Sequence, residues 1–415
     1  MPEYVFSMRL SSFFRRRQAD LKLDFLQRRE HFIPFRIEVL MDRMLKDARL
    51  APEYHTPLKK LRRLLSDRFH YEFHGILESL KNDFAAFDPD RETLFEPDMS
   101  EEERDEARLR LYRKIRDILD VGNYAELETH QLNECLKLQP VGGLSVHVDT
   151  DDFDEFHVYY RGVYEETEKE KYLLLFDRNR QLTFLKRVFV LARFKKEFGG
   201  RILAKMFKDV AVENIKIIAP KVKLGLPIFD RLKIGGTVLG SAATTLYKLF
   251  VAVTLSPVLF AIVLGGLLFA AFKGVMSFLN SKTKYMHVFS SSLYFRNISN
   301  NRAALTSLVD AAEEQEIKEA LLGFLILFIN EPREMTLREL DDAAETWIGE
   351  QFDFHLDFEI DDAVRKLTEK ELVFVSRRVS DPANSGETLE VYHAHEIHEA
   401  LKRLDRAWDE FNAFY

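Results

Sequence analysis

The sequence predicts an α+β membrane protein, and three patterns in its 415 residues predict it. Residues 257–279, PVLFAIVLGGLLFAAFKGVMSFL, are a 23-residue run with one charge, which at about 1.5 Å per residue matches a hydrocarbon core of roughly 30 Å. Before residue 140 apolar residues recur every three or four positions, and from residue 142 they recur every two. Residues 331–415 read as helix, helix, strand, polar hairpin, strand and helix, the order of a winged helix.

The elements follow in order along the chain. Residues 1–140 form a helical domain, with helices expected over 12–29, 36–50, 57–83 and 100–119 and Pro34, Pro52, Pro89 and Pro97 as breakers. Residues 141–235 hold a small antiparallel sheet and a basic connector. LSVHVD, DEFHVYYRG, KYLLLF and QLTFLKRVFVL are its strands, with turns at 149–152 and 177–180. The connector carries 10 basic against 4 acidic residues between Lys195 and Lys233.

Residues 236–279 are expected to cross a bilayer twice as a helical hairpin. The first arm, 237–255, is long enough but less apolar, and Ser256 and Pro257 make the turn. A tight turn returns the chain to its starting face, and the basic flanks place that face in the cytoplasm or matrix. Both termini are then cytoplasmic, in a bacterial inner membrane or, as the alternative, a mitochondrial inner membrane. Gly236, Gly240, Gly266, Ala270 and Gly274 recur every fourth residue where two helices would pack closely. Lys273 lies near a helix end and can snorkel, whereas Lys248 sits deeper and needs water or a partner.

After the hairpin, residues 280–330 hold a long amphipathic helix whose polar face is Glu313, Glu314, Gln315, Glu316, Lys318 and Glu319. The last unit, 331–415, is winged-helix-like and acidic, with 10 basic residues against 22 acidic ones. Phosphates would repel such a surface, so nucleic acid is excluded as a partner and protein contact is expected.

Charged residues make up 31% of the chain and it has one cysteine, Cys135, so a polytopic transporter, a disulfide framework and a cysteine-rich zinc site are all excluded. There is no phosphate loop, dinucleotide fingerprint or nucleophile elbow. No catalytic residue is identified and no cofactor is implied. The metal candidates are His70 and His74, four apart on one helix face in HYEFH, and the YHAHEIH histidines His393, His395 and His398. Two partly buried, hydrogen-bonded histidines are the commoner reading of the first pair.

Four blocks carry a family resemblance: REHFIPFR at 29–36, FHYEFHGILESLKNDFAAFDPD at 69–90, FKDVAVENIKIIAPKVKLGLPIFDRLKIGG at 207–236, and LYFRNISNNRAALTSLVDAAEEQEIKEALL at 293–322. Together they resemble the family built on domain of unknown function 3754. The resemblance implies a two-pass membrane protein with its bulk on the matrix or cytoplasmic side, and no activity.

The function these observations favour is a membrane-anchored adaptor or scaffold. Its partners are a protein bound by the C-terminal unit and the bilayer, whose anionic headgroups would meet Lys195, Lys196, Lys205, Lys208, Lys221, Lys223 and Lys233. The alternatives are a metal-dependent enzyme using His70 and His74, and a homo-oligomeric channel built from the hairpin.

Overall fold

The computed structural model describes residues 30–90, 99–138, 145–148, 153–172, 176–220, 222–225, 293–380 and 388–412, with isolated positions between 258 and 290. Four helices come first: α1 (Ile37–Met44), α2 (His55–Ala85), α3 (Glu101–Val121) and α4 (Thr129–Lys137). In α2 the buried Leu58, Leu61, Leu65, Phe69, Phe73, Leu77, Leu80 and Phe84 recur every three or four residues, which gives the helix one apolar stripe along its length. Ser100 and Glu103 cap α3 reciprocally, each side chain satisfying the other's backbone N–H.

A five-stranded antiparallel sheet follows, in the order β1 (Ala125–Glu126), β3 (Phe153–Tyr172), β4 (Phe176–Phe194), β5 (Ile202–Ala211) and β7 (Asn297–Asn300). β2 (Ser145–Val148) and β6 (Val222–Gly225) pair separately. Residues 177–180, expected as a turn, lie inside β4 opposite residues 168–171 of β3. Part of the basic connector is also sheet: Ile202, Ala204 and Met206 of β5 alternate towards one core and Phe207 faces another, and past Asp209, whose φ is +49°, Val210 joins Phe207 in that second core. Gly162 has φ +73°, and a Cβ there would come within 3.1 Å of the Phe32 ring. The bare backbone lets the 30–35 segment lie against β3, where the Val163 N–H donates to Glu30 Oε1 at 2.6 Å.

The centre of the molecule is α5 (Asn301–Ile329). From Gln315 to Ile329 every residue is buried, packed among α1, α2, α3, β5 and the C-terminal unit. This revises the amphipathic helix of the sequence reading, because Gln315, Glu316, Lys318 and Glu319 are interior groups rather than a solvated face. The C-terminal unit runs β8 (Glu334–Thr336), α6 (Leu337–Phe352), α7 (Ile360–Glu369), β9 (Val373–Ser380), β10 (Thr388–Ala394) and α8 (Ile397–Asn412), with strand order β8-β10-β9. Its Leu340, Trp347, Leu367 and Ile397 join the same apolar core as Ile33, Leu65 and Leu325.

The expected two-pass membrane fold is overturned. Among the described residues no helix is long and apolar enough to cross a membrane. The integral localisation in a bacterial or mitochondrial inner membrane falls with it. An apolar run reports avoidance of water, whereas spanning needs about twenty consecutive apolar residues in one continuous helix. Gly236, Gly240, Lys248, Ala270 and Gly274 lie outside the described residues. Gly266 and Lys273 are helical and exposed, as are Leu268 and Phe269.

Candidate functional site

Two groups of acidic side chains lie around α5, α6 and α7, one buried and one partly exposed. The first is a buried centre. The ligand atoms of Glu316 and Glu319 on α5 and Asp362 on α7 all fall within 4.8 Å of one another, an arrangement that could hold a metal ion. Lys366, one turn beyond Asp362, now fills the cation's place and contacts both Glu316 and Asp362. Arg365 takes another oxygen of Asp362.

Glu319 is held differently, by neutral donors. Gln315 Nε2 and Asn123 Nδ2 donate to its Oε1 at 2.7 and 2.9 Å. Asn123 also donates to the His31 carbonyl at 2.8 Å, and the Ile33 N–H donates to Gln315 Oε1 at 3.2 Å. These bonds tie the 30–35 segment to α5. Burial pushes the Glu319 carboxyl up to about 8, against the bonds from Gln315 and Asn123, so it holds a proton at neutral pH. Burial also lifts Glu316, to about 6, and Lys366 opposes it. With Glu319 neutral, Lys366 is the interior counter-charge of Glu316, and it shares Asp362 with the exposed Arg365, which also pairs with Glu369.

The second group is an open acidic face on α6, α7 and the loop between them. Asp341 is raised to about 6, first by burial and then by the carboxylates of Glu345, Asp342, Asp357 and Asp361. Its Oδ1 is shielded and has no hydrogen-bond partner among the described residues. Asp342 and Asp361 are exposed. His31 lies beside this face, 3.9 Å from Asp357 and 3.8 Å from Glu359. The 30–35 segment reaches this face directly: the Asp357 N–H donates to the Glu30 carbonyl at 2.9 Å, and Phe35 stacks on Phe352 at 3.9 Å.

The sites expected from the sequence fall elsewhere. His70 and His74 are both exposed on α2, with ring centroids 6.3 Å apart. His70 Nδ1 lies 3.2 Å from Glu313, and no third ligand joins the pair among the described residues. Glu72 between them bonds Lys370, the residue after α7, at 2.9 Å. His393 and His395 pack on the Phe374 ring, where burial depresses the His395 pKa. The thiol of Cys135 is buried and pushed up to about 12, a structural thiol rather than a nucleophile.

Of the basic residues expected to meet headgroups, Lys195, Lys196 and Lys208 are described near the sheet. Lys196 pairs with Glu101 at 3.3 Å, Lys208 is exposed and Lys205 is half-buried. Lys223 lies in β6, while Lys221 and Lys233 fall outside the described residues. Sequence reasoning missed both acidic groups as sites. The carboxylates were legible, but two partners of the buried ones are remote in the chain: Lys366 for Glu316 and Asn123 for Glu319.

Comparison with known proteins places part of the chain. Residues 153–303 match the family described as Protein of unknown function (DUF3754), a stretch that runs from β3 through β7 into the start of α5. The family of the sequence resemblance is thus supported over that stretch. No solved structure matches the chain.

Proposed function

We propose that the chain is an adaptor whose C-terminal unit holds a basic segment of a partner protein on the face formed by Asp341, Asp342, Glu345, Asp357 and Asp361. The observation that supports this reading is the mutual repulsion felt by Asp341, whose strongest charged neighbours are all carboxylates. Such a face costs stability in the free protein, and a cationic partner relieves that cost. Complementary charge of this kind steers encounter and selects partners, with a strong dependence on salt. The expected nucleic-acid exclusion is kept in the same reading, since phosphate would add to the repulsion.

We infer a closer likeness to transmembrane protein 143 from the same four blocks, at 29–36, 69–90, 207–236 and 293–322. That likeness brings no activity with it.

The reading is tested by titrating a fluorescent oligolysine peptide into the full chain at low and physiological salt. Each exposed ion pair contributes about 0.2–1 kcal/mol, so the variant D341N/D342N/D361N is expected to bind roughly tenfold more weakly. Equal binding by the variant, or binding that ignores salt, would sink the proposal.

A further inference from the structure

A cleft of about 390 Å³ opens where β5 and β7 meet the 3₁₀ turn Val212–Ile217 and the helical residues 293–296 that precede β7. That volume is at the low end of the roughly 300–1,000 Å³ typical of small-molecule sites. The lining mixes apolar side chains with the polar Lys205, Ser290 and Asn297. Phe207, Ile218 and Leu293 line it, and both Phe207 and Ile218 belong to the smaller of the two main apolar cores. Tyr294, 78% exposed, also lines the cleft, and the exposed Phe295 follows it.

One cation enters this space. Lys205 lies on the β5 face that carries Phe207, opposite Asn300 of β7, and it lines the cleft. Its amine makes no hydrogen bond or ion pair among the described residues. Asp90 is the charge that acts on it, but one Asp90 oxygen is already taken at 2.6 Å by Asn301 Nδ2. Asn297, also in the lining, has its Oδ1 shielded from solvent and without a hydrogen-bond partner. The side-chain amide can turn to present its N–H₂ instead, since the two ends have nearly the same shape. A half-buried, unpaired amine over an apolar floor, with a spare amide beside it, is complementary to one kind of ligand. All the lining residues fall within the stretch that matches the family.

We propose that this cleft binds an amphipathic monoanion, a carboxylate on a medium-length acyl chain, with its head on Lys205 and Asn297 and its tail on Phe207, Ile218 and Leu293. At roughly 30 Å³ for each group the size of a water molecule, the space admits about a dozen heavy atoms, which fits a ten-carbon acid. Burial holds the free Lys205 amine below its ordinary pKa. A bound carboxylate raises it again, so binding takes up protons at alkaline pH.

Calorimetric titration of the full chain with decanoate, decanol and decylamine tests the proposal. Decanoate is expected to bind at least tenfold more tightly than decanol, and decylamine more weakly still. Lys205→Met should remove the preference for decanoate while leaving decanol binding unchanged, and Lys205→Arg should keep it. Unchanged decanol binding shows that the Met variant is folded. Should that variant fail to fold, the order of the three ligands on the native chain decides the matter. A native chain that binds decanol as well as decanoate, or none of the three, overturns the proposal, as does a Lys205→Met variant that still prefers decanoate.

Discussion

Glu316 and Asp341 are acids on neighbouring helices, and they differ in one respect: Glu316 is buried against Lys366, while the charged groups around Asp341 are other carboxylates. Both are raised to about 6, mainly by burial in each case, yet Lys366 opposes the rise in the first and carboxylates add to it in the second. A perturbed pKa therefore does not by itself mark a functional group. The identity of the neighbours does, because an interior pair that closes its charge is a structural solution, and a face of like charges is a cost that binding can recover.

The sharpest way to break this comparison is to remove the cation from the buried centre. Lys366→Met strands Glu316 without its counter-charge and is expected to destabilise the fold by about 3–5 kcal/mol in urea unfolding. The double variant K366M/E316M should recover much of that loss, since apolar replacements of a buried pair are often near neutral. Recovery would establish that the pair is structural.

Next in size is the protonated acid. The Glu319 carboxyl titrates near 8 in the folded chain against an ordinary value of 4.5, so the native state keeps a proton that the unfolded state gives up. Stability linked to this group is therefore fullest below pH 4.5 and declines as pH rises towards 8. Glu319→Gln keeps an acceptor for Asn123 and should flatten that decline, with a gain on the order of 2 kcal/mol or more at alkaline pH. A variant with the native pH profile of stability would show that the proton sits elsewhere.

The smallest effect is expected on the open face. Asp341→Asn relieves repulsion at a partly exposed position, where solvent screening limits the gain to about 1 kcal/mol or less at pH 7. The sign is the informative part. The same change should stabilise the protein and weaken oligolysine binding, a pairing that a merely structural carboxylate would not show.

How far these groups were legible in the sequence depended on the range of the interactions that define them. Local patterns were readable. The apolar stripe of α2, the helix start near residue 100, and the helix, helix, hairpin order after residue 331 each depend on neighbours within a few residues. Non-local partners were not. Glu313, Glu314, Gln315, Glu316, Lys318 and Glu319 read as a wet helix face because six polar residues in seven usually are one. In the structure Ile33 and Asn123 supply donors to Gln315 and Glu319, and Lys366 supplies the charge for Glu316.

The hairpin at 236–279 failed for a related reason. Hydropathy measures how strongly a run avoids water but not what it packs against, and small residues four apart fit many settings besides lipid. Lys205 shows the converse. Within a basic run it read as one more surface lysine, whereas its strand position turns it towards an apolar cleft.

The most direct test of the central claim follows the Asp341 carboxyl itself by carbon-detected NMR across a pH titration, alone and with saturating oligolysine. Alone, the group is predicted to titrate near pH 6. With the peptide bound its midpoint should drop below that value, because a cation offsets the repulsion of its neighbours while the burial that is the larger cause remains. A midpoint that stays in place when the peptide binds would contradict the account, and so would an ordinary midpoint in the free protein.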